Sequence, residues 1–345
     1  MEKTTNNRVL VTGGTGFLGS HCILQLLRQG YSVRTTIRSL NKKDKVIQMM
    51  EGVKANNLER LSFVEADLGK DDRWAEATKD CDYVLHVASP FPFSQPKNAD
   101  EVIKPAVEGA LRVLKAASKS GVKRLVLTSS FGAVGYTHKS ENLPITEGDW
   151  TNTNDKTMTP YILSKTFAEK AAWEFIENDI SNMELAVICP RLILGPLLGD
   201  NLSTSVKAVQ GIFNGSMKGY PNVSYGIIDV RDVADLHIRA MRYPKAAGER
   251  FLASSGEPMT FKDMALLMKK KLGEKGNRIS TKVYPNWLVR IVALFNPAVK
   301  NIVHQLGKTF VTDNSKPTRL LGWEPRTREE AVLATMESLQ KMETS

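Results

Sequence analysis

The sequence predicts an α/β fold in which a doubly wound parallel sheet is followed by a smaller second domain. The first half of the chain alternates short, apolar, β-branched runs with longer helical patterns, as parallel sheets with helical crossovers require. A glycine-rich turn joins the first strand to the first helix. After Pro190 the alternation gives way to stretches rich in glycine and proline.

Six strands of the predicted sheet follow one another along the first half of the chain. Each is a short apolar run bounded by turn residues, as expected for strands buried on both faces. The predicted strands are 9–12, 32–37, 61–65, 83–87, 124–129 and 185–189, and the clearest helices are 16–28, 101–118 and 161–177. Gly30 is expected to end the first helix, as glycine commonly does.

The chain after Pro190 is expected to divide between two domains. A strand-like segment at 224–230 and a helix at 233–241 are predicted to return to the main sheet, and short helices dominate from Pro258 onward. The larger domain would comprise residues 1–190 and about 224–256. Residues 191–223 and 257–345 would form a smaller, discontinuous domain that binds the substrate.

Composition and charge narrow the class of protein. The chain has 345 residues and a net charge of +10, with its basic residues mostly dispersed, so there is no basic stripe for nucleic acid. The polar start of the chain lacks the apolar stretch of a secretory signal, and no apolar run is long enough to span a bilayer. We expect a cytoplasmic protein without nucleic-acid or membrane partners, acting as a monomer or a homodimer.

The spacing of the cysteines and histidines argues against a disulfide framework and against a metal site. The 3 cysteines are far apart with no CxxC, and the 5 histidines have no ligand spacing. We therefore expect reduced thiols, no disulfide framework and no metal site.

A dinucleotide-binding turn of the Rossmann type is predicted directly after the first strand. The segment Val9-Leu-Val-Thr-Gly-Gly-Thr-Gly-Phe-Leu-Gly19 places spaced glycines between a strand and a helix. The glycines permit close approach of the backbone to a pyrophosphate, and the helix N-terminus supplies N–H donors. The residues expected to contact the cofactor here are Gly13, Thr15, Gly16, Phe17, Leu18 and Gly19.

The end of the second strand indicates which dinucleotide binds. NAD-preferring sites place an acidic residue there to hold the ribose 2′-hydroxyl. This chain has Arg38 at that place and Lys42 four residues further on, and two cations match a 2′-phosphate. The alternative is that both are solvent-facing residues of a loop. We favour NADP(H) as the cofactor.

Two further strand ends are candidates for cofactor contacts. Asp67 and Leu68 follow the third strand, where the adenine ring would lie, but Asp67 could also be the N-cap of a helix that starts near Lys70. Small residues suited to a backbone that passes close to a ligand end the fourth strand: Val87, Ala88 and Ser89. An ordinary turn between strand and helix explains the last two almost as well.

Tyr161 and Lys165 form the candidate catalytic pair. They are spaced i, i+4 on a helix that Thr159 and Pro160 are expected to start. Hydride reduction of a carbonyl leaves an alkoxide that needs a proton, and a phenol whose pKa is lowered by a neighbouring ammonium is a suitable acid. Thr128-Ser129-Ser130, at the end of the fifth strand, would supply a hydroxyl to the carbonyl oxygen.

A tyrosine four residues before a lysine is a weak signal by itself. With 8 tyrosines in a lysine-rich chain, about one such pair is expected by accident, as an ordinary pair on a helix surface. The order of the motifs is more specific. A glycine turn, a basic end to the second strand, a Thr-Ser-Ser strand end and then Tyr-xxx-Lys together favour a catalytic pair.

These motifs resemble those of the extended short-chain dehydrogenase/reductases. The similarity is carried by Thr12-Gly-Gly-Thr-Gly-Phe-Leu-Gly19, His86-Val-Ala-Ser-Pro90, Leu127-Thr-Ser-Ser130, Tyr161-Ile-Leu-Ser-Lys-Thr-Phe-Ala-Glu-Lys-Ala-Ala172 and Asp229-Val-Arg-Asp-Val-Ala-Asp235. The branch that is most similar contains dihydroflavonol reductases, cinnamoyl-CoA reductases and methylglyoxal (aldehyde-ketone) reductases.

The resemblance implies a role for each matching residue. Tyr161 would be the general acid, Lys165 would bind the nicotinamide ribose and lower the tyrosine pKa, and Ser130 would hold the carbonyl oxygen. Thr128 and Pro190 would lie near the cofactor.

Two departures from the family pattern narrow the activity. Dihydroflavonol reductases place an asparagine soon after the serine, where this chain has Gly132-Ala-Val-Gly135. Cinnamoyl-CoA reductases typically carry Asn-Trp-Tyr-Cys-Tyr-Gly-Lys at the catalytic tyrosine, where this chain reads Met158-Thr-Pro-Tyr-Ile-Leu-Ser-Lys165. The resemblance therefore implies an NADPH-dependent reductase of small-molecule aldehydes or ketones, with a pocket drawn from 91–93, 131–136 and 197–225.

Two other function classes stay open. A nucleotide-sugar epimerase or dehydratase, or a 3β-hydroxysteroid-type dehydrogenase, would use the same fold, but such epimerases usually prefer NAD, which Arg38 and Lys42 disfavour. An NADP-sensing regulator without enzymatic activity would commonly lack the tyrosine that this chain has.

Overall fold

The chain folds into two β-sheets flanked by helices. The computed structural model describes residues 7–90, 98–138 and 143–344. The strands in these ranges are β1 (Arg8–Val11), β2 (Ser32–Ile37), β3 (Leu61–Glu65), β4 (Tyr83–His86), β5 (Arg124–Thr128), β6 (Glu184–Pro190), β7 (Leu192–Leu194), β8 (Ser224–Asp229), β9 (Arg250–Ala253) and β10 (Ser255–Thr260).

The helices pack on the sheets and form most of the surface. They are α1 (Phe17–Arg28), α2 (Lys43–Gly52), α3 (Trp74–Thr78), α4 (Asp100–Lys119), α5 (Pro160–Glu177), α6 (Thr204–Phe213), α7 (Val230–Arg242), α8 (Phe261–Leu272), α9 (Asn286–Ala293), α10 (Pro297–Lys300), α11 (Ser315–Leu321) and α12 (Arg328–Thr344). Among the described helices, none combines the length and the apolar character needed to cross a bilayer.

The main sheet is parallel throughout and has seven strands in the order β3-β2-β1-β4-β5-β6-β9. The chain runs outward from β1 through β2 and β3, then crosses back to β4 on the other side of β1. This reversal leaves a crevice at the carboxyl ends of β1 and β4, where open α/β sheets bind ligands. The predicted doubly wound sheet is confirmed.

Alternate strand residues build a separate core on each face of the main sheet. On one face Val9 and Val126 pack with α1 and α7, and on the other Leu10 and Leu125 pack with α4 and α5. All four side chains are fully buried. Because both faces are covered, the strands read as continuous apolar runs, which is why the sequence reveals them so clearly.

The second sheet corrects one prediction about the path of the chain. The segment at 224–230 was expected to join the main sheet, but β8 lies between β7 and β10 in a separate three-stranded sheet. Strand β7 follows β6 after one residue, and β8 pairs with it in parallel, with Leu192 opposite Ile227. The partner of β8 is therefore a strand of only three residues, too short to recognise in the sequence.

Helix α7 does return to the main sheet, as predicted for 233–241, and packs in the same core as α1. The seventh strand of the main sheet, β9, was not predicted. It has only four residues and is buried along its whole length, with Val187 of β6 opposite Arg250. A run this short, which includes a charged residue, carries no strand pattern of its own.

Phe17, the first residue of α1, lies where the two halves of the molecule meet. It packs against the core beneath the main sheet and also against the core that α6, α8 and α12 form on the small sheet. The glycine turn therefore lies beside the junction of the two sheets, which places any ligand of that turn next to residues of the smaller unit.

Candidate active site

The glycine turn has the geometry of a backbone anion site. Gly13 has φ of +77°, a conformation that glycine adopts without strain. The turn is held by hydrogen bonds from Gly13 N to Thr36 Oγ1 at 3.1 Å and from Gly16 N to Gly13 O at 2.9 Å. Gly16 is the N-cap of α1 and offers no side-chain cap, so N–H groups of the first helical turn can serve a ligand.

Gly19 allows α1 to pack directly on this turn. A Cβ atom at Gly19 would lie well under 3.0 Å from the carbonyl oxygen of Gly13. The turn can therefore approach the start of the helix only because this position has no side chain. The glycine spacing thus matches a turn that presents backbone rather than side chains to a pyrophosphate.

Thr12 holds the end of β4 beside the glycine turn through side-chain hydrogen bonds. Its hydroxyl lies 2.9 Å from His86 Nδ1 and accepts a hydrogen bond from Ala88 N at 2.9 Å. Burial, and then the charge of Lys165, lower the pKa of His86 to about 3, so this imidazole is neutral near pH 7. Val87 and Ala88 are half-buried, and Ser89 is exposed at the edge of the crevice.

The predicted 2′-phosphate clamp lies on the surface at the end of β2. Arg38 directly follows β2, and Lys42 ends a short helical turn that leads into α2; both are exposed. Two exposed cations in this position match the charge of a phosphate on the adenosine ribose, and their contact with it stays a prediction.

The structure does not support the N-cap interpretation of Asp67. The helix that follows starts at Trp74, with Arg73 at its N-cap position. The Asp67 carboxylate instead accepts a hydrogen bond from Gly69 N at 2.8 Å, so it stabilises a tight turn. Leu68 is buried next to it. A cofactor contact from Asp67 stays a prediction.

Helix α5 begins as the sequence predicts and carries the candidate pair. Thr159 is its N-cap, accepting a hydrogen bond from Ile162 N at 3.3 Å, and Pro160 is its first residue. Tyr161 and Lys165 therefore lie one turn apart at the end of the helix that faces the carboxyl edge of β5. Ser130 follows β5, and its hydroxyl is close enough to the hydroxyl of Tyr161 to lower the pKa of that phenol.

Only one hydroxyl of Thr128-Ser129-Ser130 reaches Tyr161. The Thr128 hydroxyl lies 2.7 Å from His237 Nε2, on α7 at the opposite face of the sheet. The Ser129 hydroxyl donates to the buried carboxylate of Glu169 at 2.5 Å. A cofactor contact from Thr128 would therefore have to use its other atoms.

Burial dominates the proton affinity of both members of the pair. Tyr161 retains 44% of its surface, but desolvation by the groups around it raises its pKa, with a smaller opposing effect from Ser130. Lys165 is 9% exposed, and burial lowers its pKa to about 8. Lys165 is not among the groups that shift the Tyr161 pKa here, so the lowering of the phenol pKa by Lys165 stays a prediction.

Glu169 is a buried residue of the site that the motifs do not reveal. It is fully inaccessible, one helical turn beyond Lys165, and it accepts a hydrogen bond from Arg250 Nε at 2.5 Å. Its charge raises the pKa of Lys165. His86, Ser129, Lys165 and Glu169 line one small cavity that is large enough for a water molecule. The i, i+4 spacing of Lys165 and Glu169 is the only trace of this arrangement in the sequence.

Aromatic side chains form a wall next to the candidate pair. The ring of Phe131, which follows Ser130, lies 5.1 Å from that of Tyr136 and 6.1 Å from that of Phe310. The guanidinium of Arg191 stacks on Phe131, with its Cζ 3.9 Å from the ring centroid. Sequence reasoning placed 131–136 in the pocket but missed Arg191 and Phe310, because chain segments far apart in sequence meet here.

A segment of the smaller unit lies over the glycine turn. The Asn201 side-chain amide donates to Thr15 O at 3.0 Å, and Lys45 forms an ion pair with Asp200. The neighbouring cavity is lined by residues from 15–20 and 197–201 together with Met49. Of the other predicted positions, Pro190 is buried at the end of β6, and 91–93 lie outside the described residues.

Metal chemistry has no visible support in the described ranges. Within residues 7–90, 98–138 and 143–344, no three His, Cys, Asp or Glu side chains cluster as ligands. The three cysteines are buried and form no disulfide bond: Cys22, Cys81 and Cys189.

Comparison with known proteins relates this site to a large enzyme family. A model described as the NAD dependent epimerase/dehydratase family matches residues 9–253, from β1 to β9. The cinnamoyl-CoA reductase CAD2 of Medicago truncatula is 36% identical over 71% of this chain and 76% of that protein. The dihydroflavonol 4-reductase of Callistephus chinensis is 33% identical over 79% of this chain and 75% of that protein.

A solved structure extends the similarity to almost the whole chain. The yeast methylglyoxal/isovaleraldehyde reductase in complex with NADPH matches with a TM-score of 0.81 and 28% identity, over 98% of this chain and 99% of that one. These similarities confirm the predicted fold, family and oxidoreductase class. The chain belongs to the NAD dependent epimerase/dehydratase family, within the extended short-chain dehydrogenase/reductases.

Proposed function

We propose that this protein reduces an aldehyde or ketone to the corresponding alcohol, with NADPH as the reductant. The observation that carries the proposal is the interaction of the Ser130 hydroxyl with Tyr161, one helical turn from Lys165 and at the carboxyl edge of the sheet that holds the glycine turn. This arrangement offers two hydroxyls to one carbonyl oxygen.

The cofactor is NADP(H). The yeast reductase that covers nearly the whole chain is a complex with NADPH. In this chain the β1–α1 turn exposes backbone donors, and Arg38 and Lys42 stand at the end of β2, where an acidic residue would favour NAD. When bound, NADPH supplies the hydride that reduces the carbonyl carbon.

Each of the three residues at the proposed reaction centre has a separate role in this reaction. The Tyr161 hydroxyl gives its proton to the carbonyl oxygen as the hydride reaches the carbon, so one carbonyl, one NADPH and one proton yield one alcohol and one NADP⁺. The Ser130 hydroxyl donates to the same oxygen as negative charge develops. With its pKa at about 8, Lys165 is mostly an ammonium near pH 7, which stabilises the tyrosinate left after proton transfer.

The substrate would lie between the main sheet and the smaller unit. The aromatic wall of Phe131, Tyr136 and Phe310 begins next to Ser130, and Tyr225 of β8, in the second sheet, is close enough to Tyr136 for its pKa to be affected. We therefore keep the division into a cofactor-binding domain and a smaller substrate-binding domain as part of the proposal, with β8 assigned to the second. An apolar, aromatic-lined site suits aldehydes and ketones with an aromatic or branched substituent.

A substrate panel tests the proposed function. The protein is mixed with NADPH or NADH and with aromatic ketones, ketoesters and methylglyoxal, and loss of the nicotinamide absorbance is followed. We expect several carbonyls to be reduced, and NADPH to be the better reductant. No oxidation of NADPH with any carbonyl, together with conversion of a nucleotide sugar in a parallel assay, would establish the epimerase alternative instead.

A further inference from the structure

The position of the Arg191 side chain is the most unusual feature of the candidate substrate site. Arg191 lies between β6 and β7 and is 9% exposed. Its guanidinium is held between the ring of Phe131, 3.9 Å from Cζ, and the backbone of Gly226. A Cβ atom at Gly226 would lie well under 3.0 Å from the guanidinium, so a glycine on β8 makes room for this cation.

The charge of Arg191 has no ionic partner. Within the described residues Arg191 forms no ion pair, and the one hydrogen bond of its side chain runs from Nη1 to the carbonyl oxygen of Phe310 at 2.8 Å. Burial lowers its pKa to about 10, so it still carries a positive charge near pH 7. A buried cation without a counterion is unfavourable unless a ligand supplies the negative charge.

Two other deeply buried arginines show how this chain normally neutralises such a charge. Arg124 pairs with Glu184, and Arg250 pairs with Glu169. Both also donate to backbone carbonyls. Arg191 departs from this pattern only in the absence of a carboxylate among the described residues, so its counterion is expected to come from outside the chain.

The guanidinium of Arg191 is not completely enclosed by the protein. Its remaining nitrogens are not among the fully buried, unpartnered atoms of the described residues. Tyr136 packs against the same Phe131 ring on which Arg191 stacks. The charges of Arg191 and Tyr161 both affect the pKa of Tyr136. A cation and a phenol therefore lie together on the ring that follows Ser130.

We propose that Arg191 binds a carboxylate of the substrate, so that the natural substrates are oxo acids. The inference deepens the proposed function and rests on it. One guanidinium supplies a single positive charge in a fixed plane, which matches the charge and the two oxygens of a carboxylate. Tyr136 packs on the same Phe131 ring as the guanidinium, and the aromatic wall would contact the rest of the molecule. A phosphate, with nearly two negative charges, would be left half neutralised.

The first test compares each oxo acid with its own methyl ester. Phenylglyoxylate, acetoacetate and levulinate separate the ketone from the carboxylate by different distances, and each ester removes only the charge. We expect kcat/KM with NADPH to favour the acid by about tenfold or more in at least one pair, as expected for a charged hydrogen bond. Esters that are reduced as well as the acids in every pair would overturn the inference.

Variants of Arg191 assign the preference to this side chain. Arg191→Met keeps the length and removes the charge, and it is expected to reduce the acid-to-ester ratio at least tenfold. Arg191→Lys restores a cation and should recover part of the ratio. The control is Arg278→Met, because Arg278 also stacks on an aromatic ring, at 4.7 Å from Phe213, but lies outside the site. An unchanged ratio in Arg191→Met would refute the role of Arg191.

A binding measurement separates this inference from the proposed function. Calorimetry compares phenylacetate with phenylacetamide, in the wild type and in Arg191→Met, each saturated with NADPH. Preferential binding of phenylacetate that is lost in the variant would support the anion site even if no carbonyl in the panel were reduced. Equal binding of both compounds to the wild type would overturn the anion site even if neutral ketones were reduced.

Discussion

The hydroxyl of Ser130, just beyond β5, lies close enough to the hydroxyl of Tyr161, at the start of α5, to lower the pKa of that phenol. Ser130 is oriented from its other side, because its Oγ accepts a hydrogen bond from Gly132 N at 3.0 Å. The serine is thereby fixed by the backbone of the following turn, and the tyrosine by the N-terminus of its helix. Two rigid elements therefore place the two groups that would meet a carbonyl oxygen.

Replacing Tyr161 by phenylalanine tests the proton donor. Tyr161→Phe removes the transferable proton and leaves the ring in place, so kcat should fall by about 10²–10⁴-fold, the usual contribution of a general acid. NADPH affinity, measured by fluorescence titration, should change little. Tyr243→Phe is the matched control, since Tyr243 is 41% exposed and outside the site. Normal turnover by Tyr161→Phe would mean that another group supplies the proton.

The second prediction follows from the burial of Lys165 and concerns the free energy of unfolding. The pKa of Lys165 falls from 10.5 to about 8 in the folded chain, which corresponds to a penalty of about 3 kcal/mol for keeping the ammonium charged near pH 7. Lys165→Met should therefore raise the free energy of unfolding by roughly 1–3 kcal/mol in urea titrations at pH 7, although the variant should lose catalytic activity.

The pH dependence of the stability gain shows whether the gain comes from removing a desolvated ammonium or from better packing of methionine. Between pH 8 and 10.5 the unfolded wild type holds a proton on Lys165 that the folded wild type has lost, so wild-type stability rises with pH across that window. The advantage of Lys165→Met should shrink accordingly above pH 8. Lys119→Met, at an exposed position of α4, is the control. An advantage that stays constant with pH would refute desolvation as the cause.

The sequence predicts those parts of the fold and of the site that depend on residues close together in the chain. Six of the seven strands of the main sheet are recognisable, because they form apolar runs that the sheet buries between its two layers of helices. The starts of α1 and α5 are recognisable because Gly16, Thr159 and Pro160 have defined roles at helix N-termini. The choice of Ser130 over Ser129 came from the resemblance, and the structure gives a physical reason, since Glu169 holds the Ser129 hydroxyl.

The parts that escaped prediction depend on contacts between distant segments. Strand β8 has the same local pattern whichever sheet it joins, and only its pairing with β7 decides. The surroundings of Arg191 come from three separate segments, which contribute Phe131, Gly226 and Phe310. In the same way, the pKa of Tyr161 depends on how deeply folding buries it, which the spacing of Tyr161 and Lys165 does not reveal.

The third prediction is that Arg38 contributes to the preference for NADPH over NADH. Arg38→Asp replaces a cation at the end of β2 with the acid typical of NAD sites. The ratio of kcat/KM for NADPH over NADH should fall by about 10–100-fold, the range expected when one charged hydrogen bond is lost. Lys54→Asp is the control, because Lys54 is exposed and changes the net charge equally. An unchanged ratio would remove Arg38 from the phosphate site.

The contact between Gly19 and Gly13 gives the fourth prediction. In Gly19→Ala the new methyl group would collide with the Gly13 carbonyl oxygen, so α1 and the turn must move apart. We expect a loss of about 1–3 kcal/mol of stability, as for other overpacked positions, and a weaker affinity for NADPH. Gly52→Ala, where an added Cβ meets nothing within 4 Å, should keep wild-type affinity. Wild-type affinity in Gly19→Ala would show that the turn tolerates displacement.

Three buried histidines predict how the protein responds to acid. Burial lowers the pKa of His21 and of His237 to about 4 and, with the charge of Lys165, lowers that of His86 to about 3. As the pH falls below 6.5 the unfolded chain takes up protons on these residues that the folded chain does not, so stability is lost. Three such groups give a slope of up to about 4 kcal/mol per pH unit between pH 6 and 5.

One histidine can be removed without breaking its surroundings. The imidazole of His237 lies 2.7 Å from the Thr128 hydroxyl and 2.7 Å from Val233 O, and an amide can replace both interactions. His237→Gln should therefore lower the slope by about a third, measured as the free energy of unfolding in urea at several pH values. His138→Gln is the control, because His138 lies in the loop after β5, outside the buried core. If His237→Gln and the wild type lose stability equally between pH 6 and 5, the buried imidazole of His237 does not drive acid unfolding.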